Sequence, residues 1–282
     1  MAIAFLPHGV PRGPFRRLAD LSLVGCEWRG SAGTPPARAG DLGPDDHLVV
    51  RVSSKAMLAR VGGLRCRVSL WLREPPCVQG RLYAAMPWAA RRFHRVLTHQ
   101  ASLARRCPNA VVVPHGGSWI RGPVDPSAPR ASRIAMVASE KASTEGHRLR
   151  HRIASWARTA VPDLELLGRG YRAFDDKADG HLPYMHSVVI ENGSYPGYFT
   201  EKLVDCLRCG SVPIYWGDPE IVRHFDMAGI VECRDERELK EAILGADAAG
   251  FESRHSARVA NAAAAERFAD PFALAERALA GA

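Results

Sequence analysis

The stretch VVIENGSYPGYFTEKLVDCLRCGSVPIYWG, residues 188–217, decides the fold. It opens with four residues suited to a buried strand ending at Glu191, and passes through NGSYPGY, a loop whose two glycines and proline allow a tight backbone path. It then enters a helix of about ten residues, with Thr200 as N-cap, Leu203, Cys206 and Leu207 at the spacing of one buried face, and Gly210 suited to the left-handed position after the last turn. A second apolar run, VPIYW, follows at once. Strand, helix and strand with short connections build a parallel sheet. One residue breaks a rule: Lys202 stands in the first helical turn, where unpaired N–H groups and the macrodipole are already positive. That placement costs a few tenths of a kcal/mol unless an anion is bound, in which case helix end and ammonium act together. The competing reading is a solvated lysine, with Glu201 satisfying the helix end.

Outward from this stretch the alternation continues. RIAMVAS, LELLG and HSVVIE read as strands, GHRLRHRIASWARTA as a helix, and further helices are expected near 219–225, 235–246 and 252–281. Upstream, AIAFL, HLVVRVS, CRVSLWL, RVLTH and AVVVP are strand-length apolar runs, with a helix at HQASLARRC. RGPVDPSAPRAS, residues 121–132, interrupts both periodicities. The expected organisation is an N-terminal α/β half over 1–122, a linker over 123–132, a C-terminal α/β half over 133–265 and a terminal helix or tail over 266–282. In such sheets ligands bind beyond the C-terminal strand ends.

The 282 residues are 46% hydrophobic and 24% charged, as in ordinary globular domains, and the formal charge of +8 points to an anionic partner. Arginine supplies most of it, since only five of the 38 basic residues are lysines. Seven scattered cysteines suit a reducing compartment, and Cys206-x-x-Cys209, with no second pair, reads as packing. The opening run lacks the basic region and length of a signal peptide, so the chain reads as cytoplasmic.

The run IENGSYPGYFTEKLVDCLRCGSVPIYWGDP resembles the signature of glycosyltransferase family 10, the α-1,3/1,4-fucosyltransferases: EN, a tyrosine-containing loop, TEK, and G.VP...G after the helix. VASEKASTEGHRLRHRIASWA, GRGYRAFDDKADGHLPYMHSVVIEN, LWLREPPCV, FHRVLTH and PHGGSWI also resemble bacterial members, so the likeness spans most of residues 65–220. The resemblance implies an α/β fold of GT-B type, two Rossmann-like doubly wound domains facing a central cleft. It implies an inverting, metal-independent transfer of fucose or a related sugar from GDP-fucose to a glycan hydroxyl, with a divalent cation at most stimulatory; the alternative reading is a non-catalytic nucleotide-sugar-binding homologue or a transferase using a different GDP-sugar. On the matching positions, Lys202 and Arg150 would hold the diphosphate, both exposed in the cleft. Glu201 would meet the ribose or fucose region, Asn192 and Tyr198 would shape the donor loop, and Glu74, at the end of CRVSLWLRE, would be the general base. The missing anchor of lumenal animal members suits a cytoplasmic enzyme acting on a lipid-linked or lipopolysaccharide-type oligosaccharide, with peripheral contact at the inner face of the membrane as one partner.

The remaining signals are weaker. FDDKADG, residues 174–180, has the wrong spacing for a metal-holding acidic motif, and His147 and His151 lack a third ligand, so they read as solvated or phosphate-facing. Trp119 and Trp216 read as packing residues. PWAARRFHRVL reads as a solvated face beside a core strand rather than a surface for nucleic acid or membrane, and no nucleic-acid motif appears.

Overall fold

The computed structural model describes residues 1–30 and 33–281; Ser31, Ala32 and Ala282, within the expected N-terminal half and terminal tail, lie outside it. The chain divides into two compact units, residues 1–114 together with the stretch from Phe272 onward, and His115–Pro271.

The first unit holds strands β1 (Ile3–Phe5), β2 (Glu27–Arg29), β3 (His47–Arg51), β4 (Arg67–Leu72), β5 (Val96–Thr98) and β6 (Ala110–Val112), and helices α1 (Ser54–Met57), α2 (Pro76–Ala89) and α3 (Ala101–Ala104). The sheet order is β2-β1-β3-β4-β5-β6. All neighbours are parallel except β2, which runs antiparallel beside β1. Period-two alternation sorts its side chains: Leu48, Val50, Leu70 and Leu72 join Tyr83 and Met86 of α2 in one core. Ile3, Phe5, Val49, Trp71 and Leu97 face the other way.

The second unit carries β7 (Ser132–Val137), β8 (Leu164–Leu167), β9 (Tyr184–Ile190), β10 (Val212–Trp216) and β11 (Val231–Glu232), with α4 (Glu145–Ala160), α5 (Glu201–Arg208), α6 (Glu236–Leu244), α7 (Ala248–Ser253) and α8 (His255–Ala269). Its sheet is wholly parallel, in the order β11-β10-β9-β7-β8. Leu149, Ile153, Ala154 and Ala157 form the apolar stripe of α4 over that sheet. The last helix, α9 (Pro271–Ala280), lays Ala275 and Leu279 on the open face of the first sheet, and Phe272 meets Phe5 and Trp71 edge-on at 5.1 and 5.7 Å.

The short elements β2, β11 and α1 were not expected, and three larger features also depart from expectation. The Pro-rich segment is irregular without being the boundary: Arg130 ties it to the second unit, donating to the carbonyls of Cys209 at 2.8 Å and Leu182. The span 252–281 is three helices, and the last belongs to the first unit. Helix α2 lies outside the expected elements; PP, Gly80 and Pro87 are helix-breaking residue types, although Pro76 occupies the first turn, where proline is favoured. Among the described residues no helix is long and apolar enough to cross a membrane.

Candidate functional site

Strands β9 and β10 pair up to Ile190 and Trp216, so Glu191 and the Gly217–Asp218 pair emerge side by side at their carboxyl ends. Glu191 is fully buried. Its two carboxylate oxygens accept the Thr200 backbone N–H and the Thr200 hydroxyl, each at 2.8 Å. Thr200 in turn caps α5, its hydroxyl oxygen accepting from the backbone N–H of Lys202 at 3.3 Å and from the Lys202 ammonium at 3.1 Å. A strand-end acid thereby fixes where the helix begins and where its first-turn cation stands. The helix ends as its sequence implies, with Gly210 at φ 68°.

Lys202 is 29% exposed and pairs with Glu201 at 2.8 Å and, more distantly, with Glu191 at 3.8 Å. Burial alone would lower its pKa, but the two carboxylates more than offset that and hold it above its ordinary value. Burial likewise acts to raise Glu201, and the Lys202 ammonium overrides it, leaving that carboxyl at about 2. Glu191 itself is raised by its burial, against the pull of Lys202.

Arg150 reaches the same corner from α4. A Cβ on Gly146 would lie 1.7 Å from the Glu191 carbonyl oxygen, so the first turn of α4 abuts the strand end in a contact only glycine permits. One turn later, Arg150 donates to the Asn192 side-chain oxygen at 2.6 Å. It is 5% exposed rather than lying open, and its Nε is buried with no hydrogen-bond partner. Burial lowers its pKa, opposed by Glu191, Tyr198 and Glu201. Tyr198 is buried and meets the His115 ring edge-on at 5.4 Å.

Arg150, Asn192, Tyr198, Glu201 and Lys202 therefore converge on one corner of the second unit. Glu74 belongs to the first unit, just beyond β4, where its backbone carbonyl accepts from the Tyr83 hydroxyl at 3.0 Å. The cation whose pKa responds to the Glu74 charge is Arg51. The neighbouring Arg73 lies over the Trp71 ring at 4.9 Å.

Several positions differ from their sequence reading. His147 is buried rather than solvated; its ring accepts the Thr144 N–H at 3.3 Å and so helps close the N-terminus of α4. Trp216 packs, with its indole N–H on the Arg234 carbonyl at 3.1 Å, but Trp119 is 63% exposed. Its backbone N–H is held by Asp205 at 3.2 Å, which leaves its ring outside, under the Lys177 ammonium at 5.4 Å. Cys206 and Cys209 are buried thiols whose pKa values burial pushes up, as packing residues require.

Sequence reasoning missed two acids. Glu191 sat inside the quoted stretch with no role, and Asp218 accepts the Gly197 N–H at 3.0 Å and the Glu220 N–H at 2.8 Å, tying down the middle of the 192–200 loop. Burial pushes Asp218 up to about 6. The signal lay in an acid one or two residues after an apolar strand run, which has no sequence mark distinguishing it from a solvated one.

No protein-family model matches the chain. It is 35% identical over 60 residues to the alpha-(1,3)-fucosyltransferase FucT of Helicobacter pylori, a match covering 21% of this chain and 13% of that protein. It is 37% identical over 67 residues to a protein of Acanthamoeba polyphaga mimivirus whose name assigns it provisionally to the fucosyltransferases, covering 23% of this chain and 11% of the other. The chain thus spans only a small part of the curated relatives it matches. Among solved structures, TarM from S. aureus, crystallised with fondaparinux, alpha-GlcNAc-glycerol and UDP, superimposes with a TM-score of 0.56 at 8% identity, over 84% of this chain and 55% of that one. The two parallel-sheeted α/β units are the fold of the GT-B glycosyltransferases. Within that fold the chain is fucosyltransferase-like in its matched segments.

Proposed function

We propose that the protein is an inverting glycosyltransferase that moves fucose, or a related sugar, from GDP-fucose to a glycan hydroxyl, with α-1,3 as the expected linkage. The observation that carries this reading is the convergence of Lys202 and the buried Arg150 on the N-terminus of α5, with Arg150 Nε unpartnered. Two cations and a helix end in one corner match the charge of a nucleotide diphosphate.

As the donor's glycosidic bond breaks, negative charge grows on the leaving GDP, and Arg150, Lys202 and the α5 amides stabilise it. These groups supply the role a divalent cation plays elsewhere, so we propose that none is required and that one would at most stimulate. When Lys202 turns to the diphosphate, the Glu201 carboxylate is released from its 2.8 Å pair and becomes an acceptor for ribose or sugar hydroxyls. Glu74 is the proposed base that takes the proton of the attacking acceptor hydroxyl. The acceptor is proposed to be an oligosaccharide or lipid-linked glycan.

The test is a thermal-shift comparison of GDP, GDP-fucose, GDP-mannose and UDP, because a ligand bound only by the native state raises its stability. Stabilisation by GDP and GDP-fucose above UDP is expected. An equal response to UDP would remove the guanosine assignment, and no response to any nucleotide would remove the donor site.

A further inference from the structure

One edge of the first unit's sheet is built from a segment without acids. Between Glu74 and Asp125, residues 75–124 contain seven arginines and no carboxylate. Arg81, Arg91, Arg105 and Arg106 are exposed, and among the described residues none of them is paired with an acid. The outward face of α2 over Arg81, Ala85 and Trp88, at i, i+4 and i+7, is apolar apart from its arginine, and Ala84 beside it is exposed as well. Trp88 is 85% exposed, an unusual state for the largest side chain. It borders a cavity of about 630 Å³ that Arg91 and Arg106 also line, with Pro87, Phe93 and Pro108. The solvated face read from PWAARRFHRVL thus carries an uncovered indole ringed by unpaired guanidiniums.

We propose that this face docks on the surface of a bilayer bearing anionic lipids, with Trp88 in the headgroup layer and Arg81, Arg91, Arg105 and Arg106 against the lipid phosphates. Charge complementarity selects an anionic partner. The indole on an alanine-rich helix face favours a bilayer over nucleic acid, because it needs an apolar layer beneath the phosphates, and tryptophan settles at that boundary. A nucleic-acid groove would present several exposed aromatics for successive bases, whereas Phe93, the other ring of this cavity, is buried. The proposal is independent of the donor assignment, since every residue it uses lies in the first unit.

The experiment is flotation of the full chain with phosphatidylcholine vesicles, with and without phosphatidylglycerol. Binding only to the phosphatidylglycerol vesicles is expected, weakening as salt rises. Arg91→Glu with Arg106→Glu should lower partition on the order of tenfold or more. Trp88→Ala should reduce it as well, and the blue shift in tryptophan emission on binding should disappear in Trp88→Phe. Arg12→Glu with Arg16→Glu, the same change in net charge at exposed positions outside the cavity, should leave binding nearly unchanged. All variants alter exposed side chains, and an unchanged Tm shows that they fold. Absence of binding to anionic vesicles overturns the proposal, as does equal loss from the Arg12/Arg16 variant. Binding of short RNA or DNA that depends on Trp88 and Arg106, without vesicle binding, would assign the face to nucleic acid instead.

Discussion

Lys202 and Arg150 each hold a counter-group before any anion arrives, so an incoming diphosphate must compete with Glu201 and Asn192 rather than fill bare charge. Lys202→Ala should therefore weaken GDP binding by about 1.5–3 kcal/mol, the worth of a hydrogen bond to a charged group, or roughly ten- to a hundredfold in Kd by calorimetry. Arg150→Ala should lose as much, and, because its side chain is buried, should also lower Tm, which Lys202→Ala should not. Unchanged GDP affinity in both variants would remove the diphosphate assignment. Glu74 is tested by a different split. Glu74→Gln keeps size and most hydrogen bonding but cannot take a proton, so turnover should fall by roughly 10² to 10⁴ while GDP affinity stays level. A near wild-type rate would leave Glu74 a strand-end acid beside Arg51. These groups were legible because a lysine and a threonine at a helix start have local meaning. Glu191 and Asp218 were not, because their roles come from the register of β9 with β10, which brings these two acids to one sheet end from 27 residues apart in the chain.

Among elements, α4 and α5 are aimed by contacts their own periodicity does not encode. The apolar stripe of α4 was readable from sequence, but its height over the sheet is set by Gly146 against the Glu191 carbonyl. Gly146→Ala places a carbon where backbone stands, so α4 must shift and carry Arg150 away from Asn192. Although residue 146 faces no ligand in the proposed site, this substitution should both lower Tm and weaken GDP binding. Full GDP affinity at an unaltered Tm would show that α4 is not held by that contact. The strands of both sheets were legible from apolar runs and turn residues, except the short β2 and β11, which carry no such run. Helix α2 and the break before α9 were not, because proline has opposite meanings inside a helix and in its first turn, and only the surrounding structure decides between them.

For the molecule as a whole, acid sensitivity is set by competing buried groups. Burial holds His47, His147 and His186 near 4 and His99 and His181 near 3. Each favours the neutral ring in the fold, so stability from it is complete above the ordinary value of 6.5 and is lost as pH falls toward 4 and 3. Asp205 and Asp218, both pushed up to about 6, act oppositely, because their burial penalty fades as they protonate on acidification. The five displaced histidines outweigh these aspartates and Glu191, which burial also raises, and so decide the sign: Tm should fall between about pH 6.5 and 4, and a flat or rising Tm there would contradict it. Helix α9 supplies the other whole-molecule test. Deleting the chain from Phe272 onward uncovers Phe5 and Trp71 and forfeits about 1.5–3 kcal/mol for each large apolar side chain of α9. The first unit should then unfold at lower temperature or aggregate, while the second unit still binds GDP; an unchanged melting profile would show that α9 is dispensable. The order of synthesis gives the same helix another significance. The first unit's strands emerge from the ribosome before the second unit, yet the helix that closes one of their faces is made only after the second unit. Until then a nascent chain carries Ile3, Phe5, Val49, Trp71 and Leu97 uncovered while the whole second unit is translated, a surface of the kind chaperones hold.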